Sequence, residues 1–216
     1  MRRIVHVITR FINGGADENT LLTCNHQTNS GHAVWLVYGA EYRQRMLDQL
    51  DPLVERVHLR DLVRNVSLSR DLAALWQMAV ILRRIRPDVV HTHTSKAGIV
   101  ARMASLIVPA AHVVHGVHIL PFLSAPAGVR SAYVLLERLA ALRTRAFINV
   151  RPHMRDLCLS HGIGAPEAHF VVPSGMEIGR FRAAGARAQR RSAGDSPRQV
   201  GRGRGLASSP RPDREG

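Results

Sequence analysis

Short apolar runs alternate with amphipathic stretches along the first 173 residues. Residues 3–9 (RIVHVIT), 33–38 (AVWLVY), 54–59 (VERVHL), 88–92 (DVVHT), 111–115 (AHVVH), 146–150 (AFINV) and 168–173 (AHFVVP) read as strands, the third being the weakest. Between them, 16–30, 41–50, 68–84, 95–108, 129–143 and 152–161 read as helices. Residues 68–84 carry the clearest period, with Leu72, Leu75, Trp76, Ala79 and Leu82 at helical spacing and Pro87 closing the segment. Strands that alternate with helices predict a parallel sheet covered on both faces. The expected fold class is therefore α/β, a single three-layer domain.

The pattern is densest at 88–100, DVVHTHTSKAGIV, a strand that runs straight into a helix. Ser95 reads as the N-cap, since its hydroxyl can accept an orphan N–H of the first turn. In parallel α/β sheets, ligands sit at the carboxyl ends of strands, where helix N-termini also point. His91, His93, Thr94, Ser95 and Lys96 are thus expected on the rim of a cleft. Lys96 is the only lysine in the chain.

Composition changes this picture mainly at the end. Half of the net charge of +14 lies in residues 180–216, with ten arginines against Asp195, Asp213 and Glu215. From about Ala183 the chain lacks aromatic residues and nearly lacks aliphatic ones, so it cannot offset its ordering entropy. Residues 1–182 are expected to form the domain, and 183–216 a disordered Arg/Gly/Pro-rich tail. That tail reads as a frameshifted end, a linker or an arginine–glycine RNA-binding segment. The N-terminus lacks a signal-peptide core, and no apolar run is long enough to span a bilayer. Cys24 and Cys158 match no metal or redox spacing and read as reduced thiols.

Three features carry candidate chemistry. Gly14 and Gly15 lie between the first strand and first helix, where a phosphate contact and a plain tight turn are equally good readings. His91 and His93 point to one side of their strand. With His115 or His118 they could ligate a metal, but no H-x-x-E or cysteine pair accompanies them, so polar rim residues are the better reading and no metal is expected. His118, in HGVHILPF, suits either a substrate contact or a structural histidine.

Taken together and in order, NGGADENTLLT, RPDVVHTHTSKAGIVAR, VVHGVHILPF, LLERLAA, HGIG and VVPSGMEIGRF resemble the N-terminal domain of a family-4 glycosyltransferase of the GT-B fold. The resemblance runs from residue 3 to about 182 and is nearest to bacterial enzymes that build surface polysaccharides or lipid-linked glycans. It implies a Rossmann-like acceptor domain that faces a second, donor-binding domain across a cleft. It places Gly14 and Gly15 near the donor phosphate. It makes His118 the catalytic-side histidine of the family's T-x-H element, with Gly116 in place of threonine. It sets His91, His93, Ser95, Lys96 and His115 on the acceptor side. The implied reaction is retaining transfer from a nucleotide sugar, with no cofactor, to a glycan or lipid-linked acceptor.

Departures accompany the matches. No glutamate pair has the E-x7-E spacing, and Val150, Arg151, Pro152 and His153 stand where the family has V-S-E. The chain therefore reads as an acceptor domain that is inactive alone, cytoplasmic and peripheral to an anionic membrane. Alternatively it is a subunit given its donor domain in trans. A basic nucleic-acid-binding protein is a weaker alternative, because the aromatic–basic interleaving of an RNA-recognition sheet is missing.

Overall fold

The computed structural model describes residues 1–175. The boundary expected at 182 and the tail 183–216 lie outside the described residues. Seven strands alternate with six helices: β1 (Arg3–Phe11), α1 (Gly15–Asn29), β2 (Ala33–Tyr42), α2 (Gln44–Leu47), β3 (Glu55–His58), α3 (Leu68–Ile85), β4 (Val89–His93), α4 (Ser95–Ala104), β5 (His112–Val117), α5 (Ala127–Ala141), β6 (Ala146–Asn149), α6 (Pro152–Ser160) and β7 (His169–Val171). The strands form one parallel sheet in the order β3-β2-β1-β4-β5-β6-β7. This is the parallel sheet expected from the alternation, in the Rossmann-like arrangement that the resemblance implies.

Strand periodicity divides the core in two. One face of the central strands presents Val5, Val7, Val90 and Val113 to α3 and α4, through Ala74, Met78, Leu82, Ala97 and Ala101. The opposite face presents Ile8, Leu36 and Tyr38 to Leu21 and Cys24 of α1 and to Met46 and Leu47. A third cluster, built on Val117, Phe122, Val134, Phe147 and Cys158, fixes α5 and α6 against β5 and β6. The chain leaves β1 toward β2 on one side and returns through β4 on the other. Between β1 and β4 the order reverses, and a crevice opens at the carboxyl ends of the strands.

Several expectations shift in detail. Strands β1 and β2 run longer than the apolar runs, because their register slips between Ile8 and Arg10 and the pairing resumes beyond it. Gly39 occupies that slip, where a Cβ would stand 2.1 Å from both the Thr9 and Leu62 carbonyl oxygens. Ser95 is the first residue of α4, not its cap; Thr94 holds the cap position and makes no side-chain capping bond. Helix α3 buries Ala74, Met78 and Leu82, whereas Leu72 and Trp76, read as part of its core face, are largely exposed.

Candidate functional site

A cleft of about 680 Å³ opens at the carboxyl ends of β1, β4, β5 and β6. Among its lining residues are Thr9, Gly14, Gly15, Ser95, Lys96 and His118, together with Asp17, Arg64 and Arg151. The parallel sheet brings them together, since every strand hands its chain to a helix or loop at this one edge.

The glycine loop is organised by a carboxylate. Asp17 Oδ2 accepts hydrogen bonds from the backbone N–H groups of Ile12, Asn13 and Gly14 at 3.1, 3.0 and 2.8 Å. Burial raises the Asp17 pKa, and these three amides pull against that rise. The Gly14 amide is therefore engaged within the loop. Gly15 has open space around its Cα and begins α1, so the first turn of the helix is accessible from the cleft there.

Thr94 has φ 68° and ψ 151°, a conformation that suits glycine and strains any other residue. Its hydroxyl lies 2.9 Å from the Thr9 hydroxyl, and Thr9 Oγ1 accepts the Ala97 N–H at 3.0 Å. This threonine pair ties the end of β1 to the start of α4. Lys96 is not free: Nζ is 2.6 Å from Asp71 Oδ1 and also donates to the Asn65 carbonyl. Its charge at the cleft is partly neutralised.

The histidines separate into two groups. His115 lies beneath α4 on the other face of the sheet, with Nδ1 2.8 Å from Thr92 Oγ1. Burial holds its pKa well below the usual imidazole value, with Arg102 adding to the effect. Gly98 makes room for its ring, since a Cβ there would come within 2.5 Å of His115 Cε1. His91 and His93 point to one side as alternation requires, but the side is the sheet's interior face against His6. The ring centroids of His91 and His93 are 5.0 and 5.3 Å from that of His6. His93 is fully buried and His91 nearly so. These three expected acceptor-side residues are thus absent from the cleft lining, and only His118 of the expected histidines reaches it.

His6, absent from the sequence-based candidates, completes a cluster in which His6, His91 and His93 bring ring nitrogens within 4.8 Å of one another. Three imidazoles can hold a divalent cation. Here both nitrogens of His6 and both of His93 already lie at hydrogen-bonding distance from a partner. Burial lowers the pKa of His6 to about 4, and those of His91 and His93 well below the usual value, so the cluster is uncharged near neutrality.

Four basic side chains, Arg10, Arg64, Lys96 and Arg151, line the cleft beside one carboxylate, Asp17. Arg10 faces Glu41 at 3.8 Å, while Arg64 and Arg151 make no ion pair or side-chain hydrogen bond among the described residues. Sequence reading marked Arg151 only as a departure and passed over Arg64, which lies between β3 and α3. The signal for Arg151 was its place directly after a strand.

A parallel sheet with a cleft at the carboxyl edge of its strands defines a Rossmann-like α/β domain. The chain belongs to the glycosyl transferase 4-like domain family, whose profile matches residues 14–175. It is 32% identical over 137 residues to an Escherichia coli enzyme, UDP-Gal:alpha-D-GlcNAc-diphosphoundecaprenol alpha-1,3-galactosyltransferase, covering 63% of this chain and 35% of that protein. Among solved structures, a glycosyltransferase from Rickettsia africae superposes with a TM-score of 0.67 at 15% identity, covering 92% of this chain and 51% of that one. The Anabaena protein HepE in complex with UDP gives 0.63 at 16%, covering 90% and 50%. These structures establish the fold, the N-terminal half of a GT-B glycosyltransferase. The chain spans about a third of the curated relative and about half of the solved structures.

Proposed function

We propose that the domain binds the acceptor for a nucleotide-sugar-dependent, retaining glycosyl transfer, and that the acceptor is a glycan or a lipid-linked glycan carrying a diphosphate. The observation that carries this reading is the pair of arginines, Arg64 and Arg151, without an ion-pair partner among the described residues, lining the cleft beside Ser95 and His118. A diphosphate suits two guanidinium groups, because each can hold phosphate oxygens with two parallel N–H donors. The curated relative supports it, since its name gives a diphosphate-linked lipid as acceptor. In this reading His118 is the cleft-facing catalytic group, and Gly15 leads the donor phosphate to the α1 terminus. Gly14 shapes that turn. Ser95 and Lys96 contact acceptor, while His91, His93 and His115 support the cleft from within the sheet.

The donor sugar is held by a second domain, either farther along a longer polypeptide or in a separate chain. The 216 residues assayed alone are accordingly expected to bind acceptor without turnover. Binding takes place on the cytoplasmic face of an anionic membrane. No described helix is long and apolar enough to cross a bilayer. Exposed Ile119 and Leu123 in the loop after β5 supply apolar contact, whereas Leu120 and Phe122 of the same loop belong to the core.

One experiment tests these points: sedimentation of the chain with neutral vesicles, anionic vesicles, and neutral vesicles doped with a polyprenyl-diphosphate sugar. Doped vesicles should bind best, and Arg151→Gln should weaken that binding by about tenfold, the scale of one charge-assisted hydrogen bond. Salt-sensitive binding to the anionic set reports the membrane contribution. Equal binding to all three sets, unchanged in Arg151→Gln, would refute the acceptor assignment.

A further inference from the structure

Four side chains form a continuous polar line from helix α1 to the cleft. Gln27 Oε1 is 2.7 Å from His6 Nε2. His6 Nδ1 is 3.0 Å from His93 Nε2. His93 Nδ1 is 3.5 Å from His118 Nε2, the longest link. The line passes through the sheet interior and ends on a residue of the cleft lining.

A neutral imidazole has one N–H and one bare nitrogen. In a chain of such rings, the choice made at one end propagates to the other. Gln27 presents its carbonyl oxygen, so His6 must donate from Nε2 and accept at Nδ1. His93 then donates from Nε2 and accepts at Nδ1, and His118 donates from Nε2. Burial keeps all three rings neutral near pH 7, as each has a lowered pKa.

We propose that Gln27, His6 and His93 are positioning residues that lock His118 into its Nε2–H tautomer, leaving Nδ1 a bare acceptor. Rotating the Gln27 amide by half a turn reverses all three tautomers and makes His118 Nδ1 a donor. The helix α1 glutamine thus decides whether His118 accepts a proton or hydrogen bond or offers one. With the Gln27 oxygen turned toward His6, His118 accepts at Nδ1, which suits a substrate hydroxyl and not an anionic phosphate oxygen. This rests on the reading of His118 as a cleft group and adds a direction to it.

Gly116 is the second observation. A Cβ at this position would stand 3.1 Å from His118 Nε2 and 3.3 Å from His93 Nδ1. The last link exists because the residue between the two rings has no side chain. A larger residue at 116 would wedge them apart and leave His118 without the relay.

Imidazole ¹⁵N NMR on the 216-residue chain at neutral pH tests this without substrate, so its outcome is independent of the acceptor assignment. The expected spectrum has a single Nε2–H tautomer for His6, His93 and His118, and a coupling across the hydrogen bond between His93 Nε2 and His6 Nδ1. Gln27→Met should abolish tautomer uniformity along the whole line. Gly116→Ala should free only His118, leaving the His6–His93 coupling intact, so that failure of one variant to fold leaves the other decisive. An Nδ1–H tautomer at His118 in the unaltered chain would overturn the proposal, as would a His118 tautomer unmoved in every variant that folds. Zinc chloride is the remaining arm. Added zinc should change nothing; joint shifts of His6, His91 and His93 nitrogens with loss of the coupling would identify a metal site in place of the relay.

Discussion

Arg102 shows how far a residue's role can lie from its local sequence. It interrupts the apolar stretch 97–111, which begins within α4. In the fold it is completely buried, with Nη2 2.5 Å from Glu137 Oε2 on α5, Nε donating to the Gly98 carbonyl, and Thr144 within reach. Glu137 is equally enclosed. Removing one partner of such a pair leaves an uncompensated charge and costs about 3–5 kcal/mol. Arg102→Met is therefore expected to lower stability by that order in urea denaturation. Arg102→Met with Glu137→Leu should regain most of the loss, because packed apolar groups can replace a buried pair. A double variant no more stable than the single one would show that the guanidinium's bonds to Gly98 and Thr144, and not the ion pair, hold α4. The cleft was partly legible at the same scale. Gly15, Ser95, Lys96 and His118 follow strand ends or open helices, where a ligand-facing position can be anticipated. Asp17 was not legible as a loop organiser, since its fold-back onto three amides is a matter of backbone path. Nor was His6, since a histidine inside an apolar strand gives no sign of which ring it will meet across the sheet.

At the scale of elements, strand and helix existence was legible nearly throughout, because the chain alternates periods of two and 3.6. Phase was less so. Helix α3 carries apolar residues on more than one face: Ala74, Met78 and Leu82 pack inward, while Leu72, Trp76 and Val80 form an outward stripe. A hydrophobic count cannot choose between two such stripes; only the partner α4 and the sheet do. The expected consequence is an inversion of the usual ranking by residue size. Trp76→Ser, at a side chain 71% exposed, should change the urea midpoint little, within about 0.5 kcal/mol. Met78→Ala, at a fully buried one, should cost about 2–5 kcal/mol. A large loss for Trp76→Ser would mean that the outward stripe is covered in solution.

For the molecule as a whole, the buried imidazoles set an acid limit. Burial is the leading cause of the lowered pKa at His6, His91, His93, His115, His118 and His169. As pH falls through about 6.5, the unfolded chain protonates these rings while the folded chain does not. The unfolded state then binds more protons, and stability declines with falling pH. For His6 the decline ends near its folded value of about 4. A shift of that size corresponds to about 3 kcal/mol for this one residue. Asp17 acts in the opposite direction, since its raised pKa makes the folded state take up a proton first. Urea denaturation between about pH 7 and pH 5 should show stability already falling, well above the range where carboxylates titrate. A flat profile over that interval would mean that the histidine cluster is open to solvent.

The strand order also governs how the chain emerges during synthesis. Strand β1 is central, yet its β4 partner lies about 85 residues downstream, with Ile4 paired to Val89 and Ile8 to His93. At translation rates of about 5–20 residues per second, the bare edge of β1 waits roughly 4–17 s for that partner. Through that interval Val5 and Val7 lack the face that α3 and α4 will later cover, while Ile8 on the other side can already be sheltered by α1 and β2. The nascent protein is thus asymmetric in time: one side of its sheet closes early, and the side facing α3 and α4 stays sticky until the residues that also build the cleft have left the ribosome.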